Sequence, residues 1–439
     1  LWYDDSNPAV KTTWLEVPAI CELNEVKGGM RSNLWCSSGD RLSSWQWIVC
    51  SALLSFIFLT FAGSVAAAPS DRGFQVPLPS MSADLLDDLK DNWKVNYIRA
   101  QIGNNAEMDG TVGDAYIQMM EEQFALLDEK LPLLAERGLK LTFVLYSPPG
   151  GFEFRSGPSH HAMYSSRALQ LEFIQMWRQI MARYGSNPTI RSFVLSNEPA
   201  MRKNRVAPGA KTWNGLLLEA ISAIRETHPT VALEVPGLHG SPIGLADLPP
   251  ISDPNVSYYF NSYLFHGYQH SGVEGIAPFS IPAPNGALGK LRQKLAPFYL
   301  RVYDRVQKRV LPASAFPPRI NVGEVAVAAC ATDSGQFLNQ LLGALEADES
   351  TASRKSRADR IAEWQKKRKN RRFRRLPAPV FTRNDFLKDV EVRSYALHAF
   401  AEAPIWDPRY VCSQDGSLSI STEETDRGTV LKSYFGRNA

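Results

Sequence analysis

The sequence is poor in cysteine: of 439 residues five are Cys, and Cys21, Cys36 and Cys50 all precede residue 70. No CxxC pair or Cys/His spacing of the zinc-holding kind remains, which excludes a zinc ribbon or finger. Gly-x-Ser-x-Gly, the Gly-rich dinucleotide fingerprint, the phosphate-binding loop and His-Glu-x-x-His are absent too, so serine-hydrolase, nucleotide and zinc-protease chemistries have no footing. His160-His161 lies in a Gly/Ser/Pro loop without a third ligand at useful spacing. No metal and no cofactor are expected. What is present is ordinary globular composition, 44% hydrophobic and 21% charged, which excludes disordered and fibrous classes.

The net charge of +3 hides two unlike parts. Residues 351–375 hold twelve Lys or Arg against Asp359 and Glu363, a balance of +10, so the rest of the chain sums to −7. An acidic body does not suggest a nucleic-acid surface, and no nucleic-acid partner is expected. The basic run reads as a solvated or disordered insertion spanning 348–387, with binding to nucleic acid or an anionic surface as the lesser alternative.

Near the N-terminus Ile48–Val65 is apolar and uncharged, followed by Ala66-Ala67-Ala68-Pro69. An apolar core followed by small residues reads as a secretory signal. Its length also sits at the lower edge for a membrane-spanning helix, so an uncleaved anchor is the rival, and a membrane partner is expected only in that case. The first Met is Met30, with Arg31 and Arg41 after it. Residues 1–29 are therefore read as upstream leader and 30–68 as signal. A secreted, periplasmic or cell-surface location follows, in which Cys330 and Cys412 can form a disulfide or stand as two separate thiols.

From Asp71 onward short β-branched or aromatic runs alternate with amphipathic stretches. Candidate strands are Phe74–Pro77, Val95–Ile102, Leu139–Tyr146, Ile190–Ser196, Val231–Val235, Val256–Tyr263, Arg319–Val327 and Val392–Phe400. Helices are predicted over Ala83–Trp93, Tyr116–Arg137, Ser165–Tyr184, Trp213–Thr227, Leu288–Val310 and Ser334–Ala347. In Ser165–Tyr184 the residues Leu169, Phe173, Met176, Trp177, Ile180 and Met181 recur at three and four, one core-facing stripe. Eight alternating units predict a parallel sheet closed into a single α/β domain, a (β/α)8 TIM barrel over residues 70–412, with 413–439 as a tail.

Catalytic groups of such a barrel sit at the C-terminal strand ends. Those ends supply Arg99, Tyr146, Asn197-Glu198-Pro199, Tyr263, Glu324 and Tyr395. Glu198 and Glu324 end the fourth and seventh strands and so share one mouth. One protonated and one ionised carboxyl in a cleft is what glycosidic cleavage requires, whereas a single strand-end Glu reads as well as a structural ion pair.

With these residues the chain resembles glycoside hydrolase family 5, the cellulase-like retaining glycosidases of the (β/α)8 clan, over about residues 71–410. The matching pieces are Arg72-Gly73-Phe74-Gln75, Tyr97-Ile98-Arg99, Ser147-Pro148-Pro149-Gly150-Gly151, Ser196-Asn197-Glu198-Pro199, Tyr258–Gly272, Val322-Gly323-Glu324 and Tyr395–Trp406. The resemblance implies Glu198 as acid/base, Glu324 as nucleophile, Asn197 on the sugar 2-hydroxyl, Arg99 and Tyr263 hydrogen-bonded to Glu324, and His270 lining the cleft, where it reads equally as a satisfied loop histidine. It also implies a β-linked glycan as substrate, endoglucanase-like action and a monomer. Phe152, Phe154, Tyr268 and Trp406 are candidates to line subsites, although each taken alone reads more readily as core or loop packing.

The chain departs from the family where Tyr146 replaces a histidine, Asn261 replaces the histidine of His-x-Tyr, and Tyr395 stands where a Trp platform is usual. Neither Tyr nor Asn carries a positive charge. Changed specificity or rate is expected, and the rival reading is a carbohydrate-binding barrel with impaired catalysis.

Overall fold

The computed structural model describes residues 71–103, 110–153, 160–201, 206–263, 299–306, 308, 319–326, 334–347, 349–369, 379, 381–398, 410–412 and 418–420. Eight strands form one closed parallel barrel in chain order: β1 (Asp71–Gln75), β2 (Tyr97–Ile102), β3 (Lys140–Leu145), β4 (Ile190–Val194), β5 (Leu233–Pro236), β6 (Val256–Phe260), β7 (Ile320–Val325) and β8 (Val392–His398). β1 pairs with both β2 and β8, which closes the ring. The fold is a (β/α)8 barrel, and every strand overlaps its predicted run, although β1 starts three residues earlier than predicted and shares only Phe74 and Gln75 with it.

The strands form because their runs are buried on both faces and largely apolar. In β3 Leu141, Phe143, Val144 and Leu145 are all buried, alternate residues filling the interior and the seam beneath the helices. The connecting helices include α1 (Ala83–Asp91), α2 (Gly113–Glu136), α3 (Arg167–Tyr184), α4 (Trp213–Arg225), the short α5 (Pro242–Ala246) and α6 (Ser334–Leu345). Of the predicted helix Leu288–Val310, residues 299–306 are described and helical.

Two tryptophans translate helix packing into loop position. Trp177 of α3 lies edge-on to Phe143 and Phe193, with ring centroids 6.2 and 6.4 Å away, and its indole N–H donates to the Leu195 carbonyl at 3.1 Å. Trp213 of α4 donates to the Pro236 carbonyl at 2.9 Å. Each therefore fixes the backbone just as a strand gives way to the barrel mouth. Tyr116 of α2 does the same after β3, donating to the Ser147 carbonyl at 2.9 Å.

The basic segment contains ordered structure that its charge conceals. Ser350 caps a helix, α7 (Thr351–Arg368), its hydroxyl accepting from the Ser353 N–H. Ile361 is buried and Ala358 and Trp364 pack beside it, a stripe too narrow to stand out among twelve cations. Arg354 pairs with Glu391 and Arg357 with both Glu349 and Asp389. Then α8 (Arg383–Asp389), closed at its start by a Thr382/Asp385 capping box, buries Phe386 and Leu387 and leads into β8. Two small antiparallel pairs lie outside the barrel: Phe152–Glu153 with His160–His161, and Tyr410–Cys412 with Leu418–Ile420.

Candidate active site

The C-terminal strand ends converge on a buried polar cluster. Arg99, at mid-β2, is 1% exposed and stands at its centre. Its guanidinium donates to the Gln75 side chain, to Glu324 Oε1 at 2.7 Å and to Asn197 Oδ1 at 2.9 Å, and it lies over the Tyr259 ring at 5.7 Å. One planar fork thus joins the ends of β1, β2, β4 and β7. Burial opposes the Arg99 charge, but the Glu324 carboxylate with Tyr259 and Glu234 outweighs it and the guanidinium's pKa is raised.

Glu324 is 5% exposed and accepts from donors on two elements, β2 and the segment after β6. Besides Arg99, Gln101 Nε2 donates to Oε1 at 3.0 Å and the Tyr263 hydroxyl to Oε2 at 3.3 Å. Burial pushes the Tyr263 phenol well above its ordinary value, and the charges of Glu324 and Glu198 push further against Arg99, so Tyr263 remains a donor. That both carboxylates act on this one hydroxyl places them about a common space. The backbone helps as well, since the Ser262 N–H donates to the Glu324 carbonyl at 2.8 Å.

Glu198 is placed differently. It follows β4 in the left-handed region, with φ 39°, where a non-glycine residue carries a cost on the order of 1–2 kcal/mol. Its neighbours impose this. The Asn197 N–H donates to the Leu145 carbonyl at 2.9 Å, and the following turn is clamped by His161, whose N–H donates to the Ala200 carbonyl at 2.9 Å while its Nδ1 accepts from the Ala200 N–H at 3.3 Å. Burial lowers the His161 pKa to about 3, with His160 and His239 adding, so the ring stays neutral and able to accept.

The Glu198 side chain lies against Gly240, where an added Cβ would come within 2.7 Å of Cγ and 2.8 Å of Oε1. Gly240 itself has φ +56°. Only glycine meets both conditions without strain. The Gly240 carbonyl accepts from the Asn261 N–H at 2.6 Å, and Asn261 Nδ2 donates to Glu198 Oε1 at 2.6 Å. The loops after β4, β5 and β6 thus interlock around this carboxyl.

The structure brings together Arg99, Asn197, Glu198, Asn261, Tyr263 and Glu324. Tyr146, directly after β3, is half-buried and its N–H donates to the Ile102 carbonyl at 2.9 Å. His270 lies outside the described residues, as do Cys330, Phe154, Tyr268, Trp406 and the side chains of Phe152 and Cys412.

Tyr395 requires a correction. It is the middle residue of β8, in register with Arg72 near the start of β1, and its hydroxyl bonds Glu346 just past the C-terminus of α6, beside Arg72. It belongs to the seam between barrel and helices at the end remote from the mouth and offers no platform to a sugar. Both faces of a barrel strand are apolar, so the sequence does not reveal which parity points inward.

Sequence reasoning missed Gln75, Gln101, Gly240 and His239. Gln101 follows Arg99 by two and so shares its face of β2, the one available signal. His239 is exposed after β5 with φ 56°, and its N–H donates to the Pro199 carbonyl at 3.0 Å beside Glu198.

Comparison with known proteins agrees with this geometry. The cellulase family model (glycosyl hydrolase family 5) matches residues 72–282. Endoglucanase C of Acetivibrio thermocellus is 29% identical over 158 residues, covering 36% of this chain and 43% of that protein. Cellodextrinase A of Ruminococcus flavefaciens is 26% identical over 185 residues, covering 42% and 51%. The chain thus spans about half the length of the curated relatives it matches. The clostridial cellulose synthase subunit Z of Clostridioides difficile shares the fold with a TM-score of 0.50 at 18% identity, covering 77% of this chain and 93% of that one. The strand order and the paired carboxylates accord with that match, and over residues 72–282 the chain is similar to glycosyl hydrolase family 5.

Proposed function

We propose that this chain is an exported retaining β-glycosidase that hydrolyses β-glucan or a related β-linked polysaccharide within the chain. The observation that carries the reading is the meeting of two strand-end carboxylates in one buried polar cluster. Glu324 accepts from Arg99, Gln101 and Tyr263, Glu198 accepts from Asn261, and both carboxylates act on the Tyr263 hydroxyl. Two carboxyls about one space can divide the work of nucleophile and proton carrier, and the family likeness gives the first role to Glu324 and the second to Glu198.

In the first step the Glu198 proton passes to the glycosidic oxygen as the bond from that oxygen to the anomeric carbon breaks. Glu324 attacks the same carbon from the opposite face and forms a glycosyl ester. In the second step Glu198, now ionised, takes a proton from water. The water oxygen displaces Glu324, and both carboxyls return to their starting states. Arg99 orients the nucleophile and, by holding Asn197 Oδ1, leaves the amide nitrogen as that residue's donor for a sugar hydroxyl.

Export is supported by the apolar run Ile48–Val65 and Ala66–Ala68. Residues 1–70 lie outside the described structure. Among the described residues no helix is long and apolar enough to cross a membrane.

The test is product release from β-glucans, mannan and aryl β-glycosides by the protein and by Glu324→Gln. Turnover that vanishes in the variant, with folding unchanged, is the expected result. Sugar binding without product release would replace the enzyme with a carbohydrate-binding barrel.

A further inference from the structure

The acid/base residue of a double displacement must be stable both protonated and ionised, once each per turnover. One partner of that residue here is a primary amide, which carries a donor and an acceptor of nearly equal size. In the structure Asn261 Nδ2 donates to Glu198 Oε1 at 2.6 Å, the orientation suited to an ionised Glu198. The other end, Oδ1, is buried and accepts no hydrogen bond among the described residues. A protonated Glu198 offers an O–H where the amide now offers an N–H, and a half-turn of the amide brings Oδ1 to receive it.

Room for either orientation comes from Gly323, where an added Cβ would lie 2.8 Å from Asn261 Oδ1 and 2.6 Å from Tyr259 Cδ2. The backbone of Asn261 stays fixed meanwhile by its 2.6 Å bond to the Gly240 carbonyl.

We propose that Asn261 is a positioning residue whose amide follows the proton on Glu198, donating to the carboxylate and accepting from the acid, and that it sets the pH range over which Glu198 acts as an acid. The proposal rests on the glycosidase reading for its role in turnover. Its physical content, a partner that favours ionised Glu198, stands apart from that reading. The bond to the carboxylate is charge-assisted and the stronger of the two, so Asn261 draws the Glu198 equilibrium toward ionisation. Among the described residues the other charged or titratable groups about Glu198 include Glu324 from β7, Tyr259 from β6, Tyr263 after it, Arg99 from β2, and His239 beside Gly240. None changes in the variants below, apart from Glu324 where it is neutralised on purpose.

Two readouts test this. The first is a carboxyl 13C NMR titration of Glu198 in Glu324→Gln and in Glu324→Gln/Asn261→Ala, which removes coupling to the nucleophile and needs no turnover. The Glu198 midpoint is expected to rise by about half a unit to one unit when the amide is removed. The second is the pH–rate profile of the protein with Asn261→Ala and with the near-isosteric Asn261→Asp. The alkaline limb is expected to move to higher pH in both, further in Asn261→Asp, where two carboxyls compete for one proton.

Unchanged midpoints and limbs in folded variants would overturn the proposal and leave Asn261 a packing residue. A shifted NMR midpoint in a protein whose wild type is silent on every substrate would refute the glycosidase reading while upholding the amide's action on Glu198.

Discussion

Gly240→Ala is a small change in a crowded place. The new methyl would stand 2.7 Å from Glu198 Cγ, against the 3.4 Å at which ordinary contact begins, so one of the two must give by roughly 0.7 Å. Gly240 is held by the Asn261 N–H on its carbonyl and by its own N–H to the Gly237 carbonyl at 3.0 Å. Glu198 is held by its strained backbone and by Asn261. The softer element is the Glu198 side chain, and its carboxyl moves. Misplacement of a reacting group by about 1 Å costs about 100-fold in rate, so kcat/KM should fall between about 10- and 100-fold. Stability should fall by about 2–4 kcal/mol, from an alanine forced to φ +56° together with the overlap.

Gly138→Ala separates the two causes. Gly138 has φ +65° with nothing within 4 Å of the added methyl, and its N–H donates to the Ala135 carbonyl at the end of α2. It should lose about 1–2 kcal/mol and no activity. The assay is kcat/KM on an aryl β-glycoside beside thermal unfolding of both variants. A Gly240→Ala protein that folds and retains activity within twofold would refute the argument that this contact places Glu198.

Acid should expose the buried His161. Its folded pKa of about 3 lies below the ordinary 6.5, so the unfolded chain binds the proton first, and stability is full above pH 6.5 and declines as pH falls toward 3. At pH 5 the loss is about 2 kcal/mol, and His161→Asn should remove that part of the pH dependence in denaturant titrations at pH 7 and pH 5. An identical decline in the variant would assign it to other groups. Tyr395→Phe should cost about 1 kcal/mol through its bond to Glu346 and leave kcat/KM unchanged, whereas a specific loss of substrate affinity would return Tyr395 to the cleft.

The barrel was legible because its signals are local and repeated. Each strand is a short apolar run and each helix carries a stripe such as Phe173, Trp177, Ile180 and Tyr184, so order and type followed from periodicity. Glu198 and Glu324 could be read because strand ends are recognisable and carboxylates there are few. The parity of Tyr395 was not legible, since a strand covered on both sides has no polar face to betray it. Helix α7 was hidden by composition, one buried Ile361 among cations whose structural members, Arg354 and Arg357, find acids brought near only by the fold. Gly240 and Asn261 meet Glu198 only through the interlock of three loops, which no single segment encodes.

In the proposed mechanism Glu324 attacks the anomeric carbon while Glu198 supplies and later removes the proton. Incubation with a 2-deoxy-2-fluoro-β-glycoside bearing a good leaving group, followed by peptide mass spectrometry, tests it most directly. One covalent glycosyl adduct on Glu324 is expected, slow to release in Glu198→Gln, with product formed in the β configuration. An adduct on another residue, or first-formed product of the α configuration, would contradict it.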